Sequence, residues 1–147
     1  MFQTLTWERS HPYIAGVTAF AGAYGLAKYG VPFPKETSFF SAVITLGGIF
    51  SAFSVTIKSL ILSNQEKIKS LKETGYHDDL MRYLRTSIDG SLILCIAGLL
   101  GFFQPLACAE EFTPLVIGLL VFSLLAIRRV TMASSAVLKQ PQRRKAG

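Results

Sequence analysis

Hydroxyl side chains set at helical spacing inside an otherwise apolar run are the residues of this chain best placed to do chemistry. Between Phe39 and Leu62, Ser41, Thr45, Gly48 and Ser51 recur every three or four positions, and Gly47, Ser51, Ser54 and Lys58 form an adjoining row. A hydroxyl row ending in a cation can line a water-filled pathway in an oligomer, with Lys58 at its mouth disfavouring cations. On that reading Thr45, Gly48, Ser51, Ser54 and Lys58 are the candidate pore-lining residues. The same residues serve as well for close packing inside a bundle, with hydroxyls bonded to their own backbone and Lys58 snorkelling to the interface. Both readings stand at this level.

Catalysis finds little among the remaining residues. His11 and His77 lie outside the apolar runs, and no His, Cys or carboxylate cluster has metal or haem spacing. No Asp or Glu falls in the middle of a run, where a proton-coupled carrier needs one. Asp89 comes nearest and reads as the acid of a helix start, in the pattern Thr86-x-x-Asp89. The expectation is no enzyme, no metal and no cofactor. Cys95 sits mid-run as a small packing residue. Cys108 lies about 19 Å further along the same helix, too far to pair with it, but could link two protomers on an oxidising face. The intramembrane Glu of small multidrug carriers, the C-x-x-C of thiol oxidoreductases and the weak charge bias of dual-topology fluoride channels are all missing.

The elements that must position these residues are long apolar helices. A membrane crossing takes about 20 mostly apolar residues, and four runs qualify among the 147 residues: 12–29, 39–62, 88–106 and 112–127. The expected fold is an all-α integral membrane protein, one domain with four transmembrane helices. The first run is the weakest, because it is built from Ala and Gly, which gain little from lipid contact. Ala15, Ala19, Ala23 and Ala27 form a ladder at four-residue spacing with Gly22 beside it, a surface for close helix packing within one protomer or between two. This run is expected to be retained rather than cleaved as a signal peptide, and neither terminus carries a lipidation signal.

Charge sets the expected topology. Lys58, Lys67, Lys69, Lys72, Arg82 and Arg85 flank the middle connection, and Arg128, Arg129, Lys139, Arg143, Arg144 and Lys145 follow the last run. The positive-inside rule puts both groups, and both termini, in the cytoplasm. The net charge of +6 is then a topology signal, not a sign of direct nucleic-acid binding. The basic tail 128–147 can touch anionic lipid headgroups.

The connection 63–87 differs from the other two. The second run continues without Gly or Pro, which predicts one helix from Ser38 to Thr74, about 55 Å long and extending several turns past the bilayer. Gly75 is placed to end it, and His77 or Asp78 to cap a return helix. Ile68 and Leu71 on one arm and Leu80, Tyr83, Leu84 and Ile88 on the other give each an apolar stripe, hence a cytoplasmic helical hairpin. Lys67, Lys69, Lys72, Tyr76, Asp79 and Arg82 are its candidate partner-facing residues. The plainer alternative is a loop that only carries topogenic charge. Thr37 and Ser38 are expected to cap the second span, and Thr113-Pro114 to open the last one after the short connection from Ala107 to Glu111.

The segment FSAFSVTIKSLILSNQEKIKSLKETGYHDDLMRYLRTSI, followed by an apolar run, resembles small four-span membrane proteins of bacterial and phage defence loci. The membrane subunit of the lambda Rex exclusion system looks like it in size, span count and the basic stretch before Gly75-Tyr76; the four-span subunit of the Kiwa system is similar in architecture. The resemblance implies a homo-oligomer in the bacterial inner membrane, in contact with membrane lipid, that depolarises the cell or reports infection together with a cytoplasmic protein. The expected function is a pore or membrane-perturbing effector in phage defence or exclusion. The alternatives are a non-conducting sensor or anchor that docks a partner through the hairpin, and a holin-like lysis protein.

Overall fold

The computed structural model describes the backbone of residues 2–34, 36–73, 75–103 and 109–139, and their side chains except at 2–9, 65–67, 70, 109–111 and 136–139. The expectations for Cys108, the side chain of Lys67 and the end of the basic tail lie outside the described residues. Five helices follow one another: α1 (Phe2–Lys28), α2 (Thr37–Leu62), α3 (Gln65–Glu73), α4 (His77–Phe102) and α5 (Ala109–Lys139). Among the described residues there is no strand, and three helical stretches are long and apolar enough to cross a membrane: Thr37–Leu62, His77–Phe102 and Phe112–Ser135. The Ala- and Gly-rich α1 is not among them. Large apolar side chains lie on the outside of all three stretches, including Ile49, Leu60, Ile96, Leu99 and Leu124. A surface of that kind belongs in lipid or against another apolar surface.

The helix boundaries depart from the sequence expectations in four places. First, the helix expected to run from Ser38 to Thr74 is two helices. The chain turns at Ser63-Asn64, where the Ser63 hydroxyl donates to the Leu60 carbonyl (3.0 Å) and the Asn64 amide to the Ile61 carbonyl (3.3 Å). The Ser63 side chain competes with helix propagation in this way, and the Asn64 amide closes the turn from the backbone. Second, neither expected cap is made. Glu36 is the N-cap of α2, with the Ser38 hydroxyl donating to its carboxylate at 3.0 Å, and Tyr76 is the N-cap of α4 without a side-chain bond. Asp78 and Asp79 instead put negative charge in the first turn of α4, where the helix dipole favours it.

Third, α4 begins at His77 and enters the apolar run unbroken, so Asp89 lies mid-helix, 3.8 Å from the Arg85 guanidinium one turn earlier. Fourth, α5 starts at Ala109, ahead of Thr113-Pro114, and continues past Ile127 to Lys139. Thr113 ties the start of the helix to the α1–α2 loop by donating to the Pro34 carbonyl at 3.3 Å. Gly75 does end the α3 segment: its φ of +69° suits a residue without Cβ, and its amide reaches the Lys72 carbonyl at 3.1 Å.

Helices α4 and α5 form the centre, with α2 packed on α4 and α1 on α5. Consecutive contacts run in opposite directions: Phe40 meets Gly101 and Gly47 meets Cys95, while Gly16 meets Phe122 and Phe20 meets Gly118. Although α1 and α2 adjoin in sequence, they do not pack on each other among the described residues. Two apolar clusters close the ends. Phe40, Val43, Leu94, Ala97 and Val116 fill the end near the α1–α2 loop. Ile61, Leu71, Leu80, Tyr83, Leu84, Val130 and Ala133 fill the other. The second cluster explains the length of α5, because Val130 and Ala133 lie beyond the expected span and seat the α3–α4 hairpin.

Candidate functional site

Between the two end clusters the helices touch through Gly and Ser. Ser54 of α2 is fully buried, its Oγ 2.9 Å from that of Ser87 on α4. Ser91 donates to the Ser87 carbonyl at 2.7 Å, and Ser123 of α5 donates to the Gly90 carbonyl at 3.3 Å. These bonds thread α2, α4 and α5 together in their apolar middle, where an unpaired hydroxyl is costly. Gly47 lies on the same side of α2: a Cβ there would stand 2.6 Å from Cys95 Sγ and 3.0 Å from the Ser91 carbonyl. Cys95 Sγ in turn donates to the Ile44 carbonyl at 3.5 Å.

The five candidate pore residues therefore do not share a face. Ser54 follows Thr45 by nine positions, about half a turn around a helix of 3.6 residues per turn. Thr45 and Gly48 are exposed, Ser51 and Lys58 are half-buried at the side, and Ser54 is inside. What α2 turns outward is a different row. Ser41, Thr45, Gly48, Ala52, Thr56 and Ser59 are all exposed and run the length of the helix at spacings of three and four. Thr45 and Thr56 bond back to the carbonyls of Ser41 and Ala52, at 2.9 and 2.8 Å. Large apolar residues flank the row, among them Ile49 (57% exposed) and Leu60 (62%). The repeat was visible in the sequence; which half of it faced out was not.

On α1, Ala23 is buried and Ala15, Ala19 and Ala27 are half-buried, whereas Gly22 is exposed with nothing within 4 Å of where a Cβ would stand. Gly16 and Gly118, which the sequence analysis does not single out, let α1 approach α5 closely. A Cβ on Gly118 would come within 2.8 Å of Phe20 Cβ and 3.0 Å of the Gly16 carbonyl. Also missed was α4, whose Ser87, Gly90, Ser91, Ala97, Gly98 and Gly101 are all buried at spacings legible as a small-residue stripe.

On the hairpin, Lys69, Lys72, Tyr76 and Arg82 are exposed and Asp79 is half-buried. Opposite them the Arg129 guanidinium of α5 stacks 3.7 Å from the centre of the Tyr83 ring, a cation–π contact that couples the end of α5 to the hairpin. Among the described residues no three His, Cys, Asp or Glu side chains gather. No protein-family model matches the chain, and neither a curated protein nor a solved structure is significantly similar to it.

Proposed function

We propose that the chain is a four-span, self-associating protein of the bacterial inner membrane, with both termini and the hairpin in the cytoplasm, acting as a regulated pore or membrane-perturbing effector in phage defence or exclusion. One observation carries this reading: the outward row of α2. Hydroxyl and small residues that run a full helix length on an exposed face gain nothing from lipid, but they pack closely on a second copy or line water between copies. Thr45, Gly48, Thr56 and Ser59 are the residues on that path, with Ser51 and Lys58 at its edge. Association of α2 rows from several copies would leave the α4 side of α2 undisturbed.

The test is reconstitution into liposomes, with ion flux measured beside oligomeric mass. Thr45→Leu combined with Thr56→Leu should abolish flux while the chain stays folded, since both side chains project away from the core. Flux unchanged in that variant rejects the lining.

A second reading has its own support. The hairpin is packed by Leu71, Leu80 and Leu84 onto α5 and presents Lys69, Lys72 and Arg82 outward. A fixed, charged surface of that kind suits a sensor or anchor that docks a cytoplasmic protein. A silent but tight oligomer in the same experiment favours it.

A further inference from the structure

Among the described residues α1 and α4 both pack on α5 but not on each other, and an apolar groove of about 390 Å³ runs between them. Its walls are Tyr13, Val17 and Phe20 of α1 and Ile93 of α4, over a floor that includes Leu119 and Phe122. At one end it meets a smaller cleft of about 100 Å³, and the two share Tyr13 and Thr86. That cleft is lined by Arg82 and Arg129.

The charge at this end is unusual. Arg129 Nη2 is buried without a hydrogen-bond partner among the described residues, while the Tyr83 ring covers the guanidinium face. A buried, unbonded guanidinium donor carries a desolvation cost that an anionic acceptor removes. Among the described residues the one carboxylate on the groove, Asp89, is exposed and lies 3.8 Å from Arg85. Height along the helix fits as well. From Tyr83 to Phe102 an α-helix rises about 28 Å, close to the roughly 30 Å of a hydrocarbon core. With Phe102 at one interface, the two guanidinium groups stand at headgroup level on the other and the groove lies at acyl-chain depth.

We propose that the cleft and groove together bind one anionic phospholipid, its phosphate held by Arg82 and Arg129 and one acyl chain laid between α1 and α4. Guanidinium groups match phosphate oxygens with paired donors, and the groove supplies apolar contact along the chain. The site requires only that the protein be embedded in a membrane; it holds whether the protein conducts or docks a partner.

The test is native mass spectrometry of the full chain in mild detergent, titrated with phosphatidylglycerol or with phosphatidylcholine of the same acyl chains. One phosphatidylglycerol per chain should be retained, at concentrations where phosphatidylcholine is lost. Arg82→Gln should weaken retention about tenfold, the scale of one charge-assisted hydrogen bond. Ile93→Trp should block the groove without touching the arginines, and Arg129→Gln should act like Arg82→Gln wherever its melting curve shows it folded. Arg82 is exposed and Ile93 is 51% exposed, so these two variants decide the matter if Arg129→Gln fails to fold. Equal retention of the two lipids, or retention unaffected by Arg82→Gln and Ile93→Trp, overturns the proposal. So does displacement of phosphatidylglycerol by equimolar inorganic phosphate, which would mark a free-anion site, or a dimer that Ile93→Trp dissociates, which would mark the groove as an interface between copies.

Discussion

Gly47 and Gly48 are neighbours in sequence and opposites in structure, so exchanging each for Ala isolates the packing of α2 on α4. Each exchange removes the same helix-propensity penalty of glycine, about 0.8–1.0 kcal/mol. At Gly48 nothing lies within 4 Å of the new Cβ, so Gly48→Ala should stabilise by roughly that amount. At Gly47 the Cβ would meet Cys95 Sγ at 2.6 Å, the Ser91 carbonyl at 3.0 Å and the Cys95 amide at 3.3 Å. The thiol can rotate away, but the two backbone atoms move only if α4 moves. Overpacking of this kind costs about 1–3 kcal/mol. The propensity term cancels between the variants, leaving a difference of about 1–3 kcal/mol, or about 5- to 150-fold in the unfolding equilibrium. Reversible unfolding in mixed micelles of a mild detergent and dodecyl sulfate, followed by far-ultraviolet circular dichroism, measures it. Equal stabilities for Gly47→Ala and Gly48→Ala would refute the close α2–α4 approach and the assignment of the Thr45–Gly48 side as outward.

Two further perturbations test the interior and the hairpin. Ser54→Ala should destabilise by only about 0.6 kcal/mol, and by less than about 1.7, because Ser87 can turn its hydroxyl to its own backbone; a much larger loss in the same unfolding assay would mean that the Ser54–Ser87 pair carries more of the fold than its geometry implies. Gly75→Ala forces a Cβ into the left-handed region at φ +69° and should cost about 1–2 kcal/mol, seen by hydrogen exchange as faster opening of α3 amides with α5 amides unchanged.

Helical content and three helices of membrane-crossing length are legible in the sequence, but the assignment of faces is not. The two adjoining rows of the second run supply one set of candidate lining residues, and in the fold that set divides. Ser54 joins Ser87 in the interior, Thr45 and Gly48 turn outward with Ser41, Ala52, Thr56 and Ser59, and Lys58 sits between. The Ala ladder of the first run drew attention to Gly22, yet the tight contact is Gly16 on Gly118. On α4 the small-residue stripe from Ser87 to Gly101 is a contact surface that the sequence analysis does not single out. Helix ends depart from the expectation where a local hydrogen bond competes, as at Ser63-Asn64, or where a distant contact extends a helix, as at Val130 and Ala133.

Run length and composition by themselves determined that α2, α4 and α5 are helices of membrane-crossing length, because backbone groups without water must bond within the segment whatever surrounds it. The turn at Gly75 was equally local, since it depends on one residue's freedom to take positive φ. Only the tertiary structure decided that α1 lies on α5 rather than on its sequence neighbour α2, and which side of α2 faces α4. In a water-soluble helix polarity marks the exposed side. Here hydroxyl and large apolar residues fall on both the buried and the outward sides of α2, so the choice falls to shape: where a missing Cβ lets one backbone approach another, and where a ring such as Phe122 finds the space over Gly90.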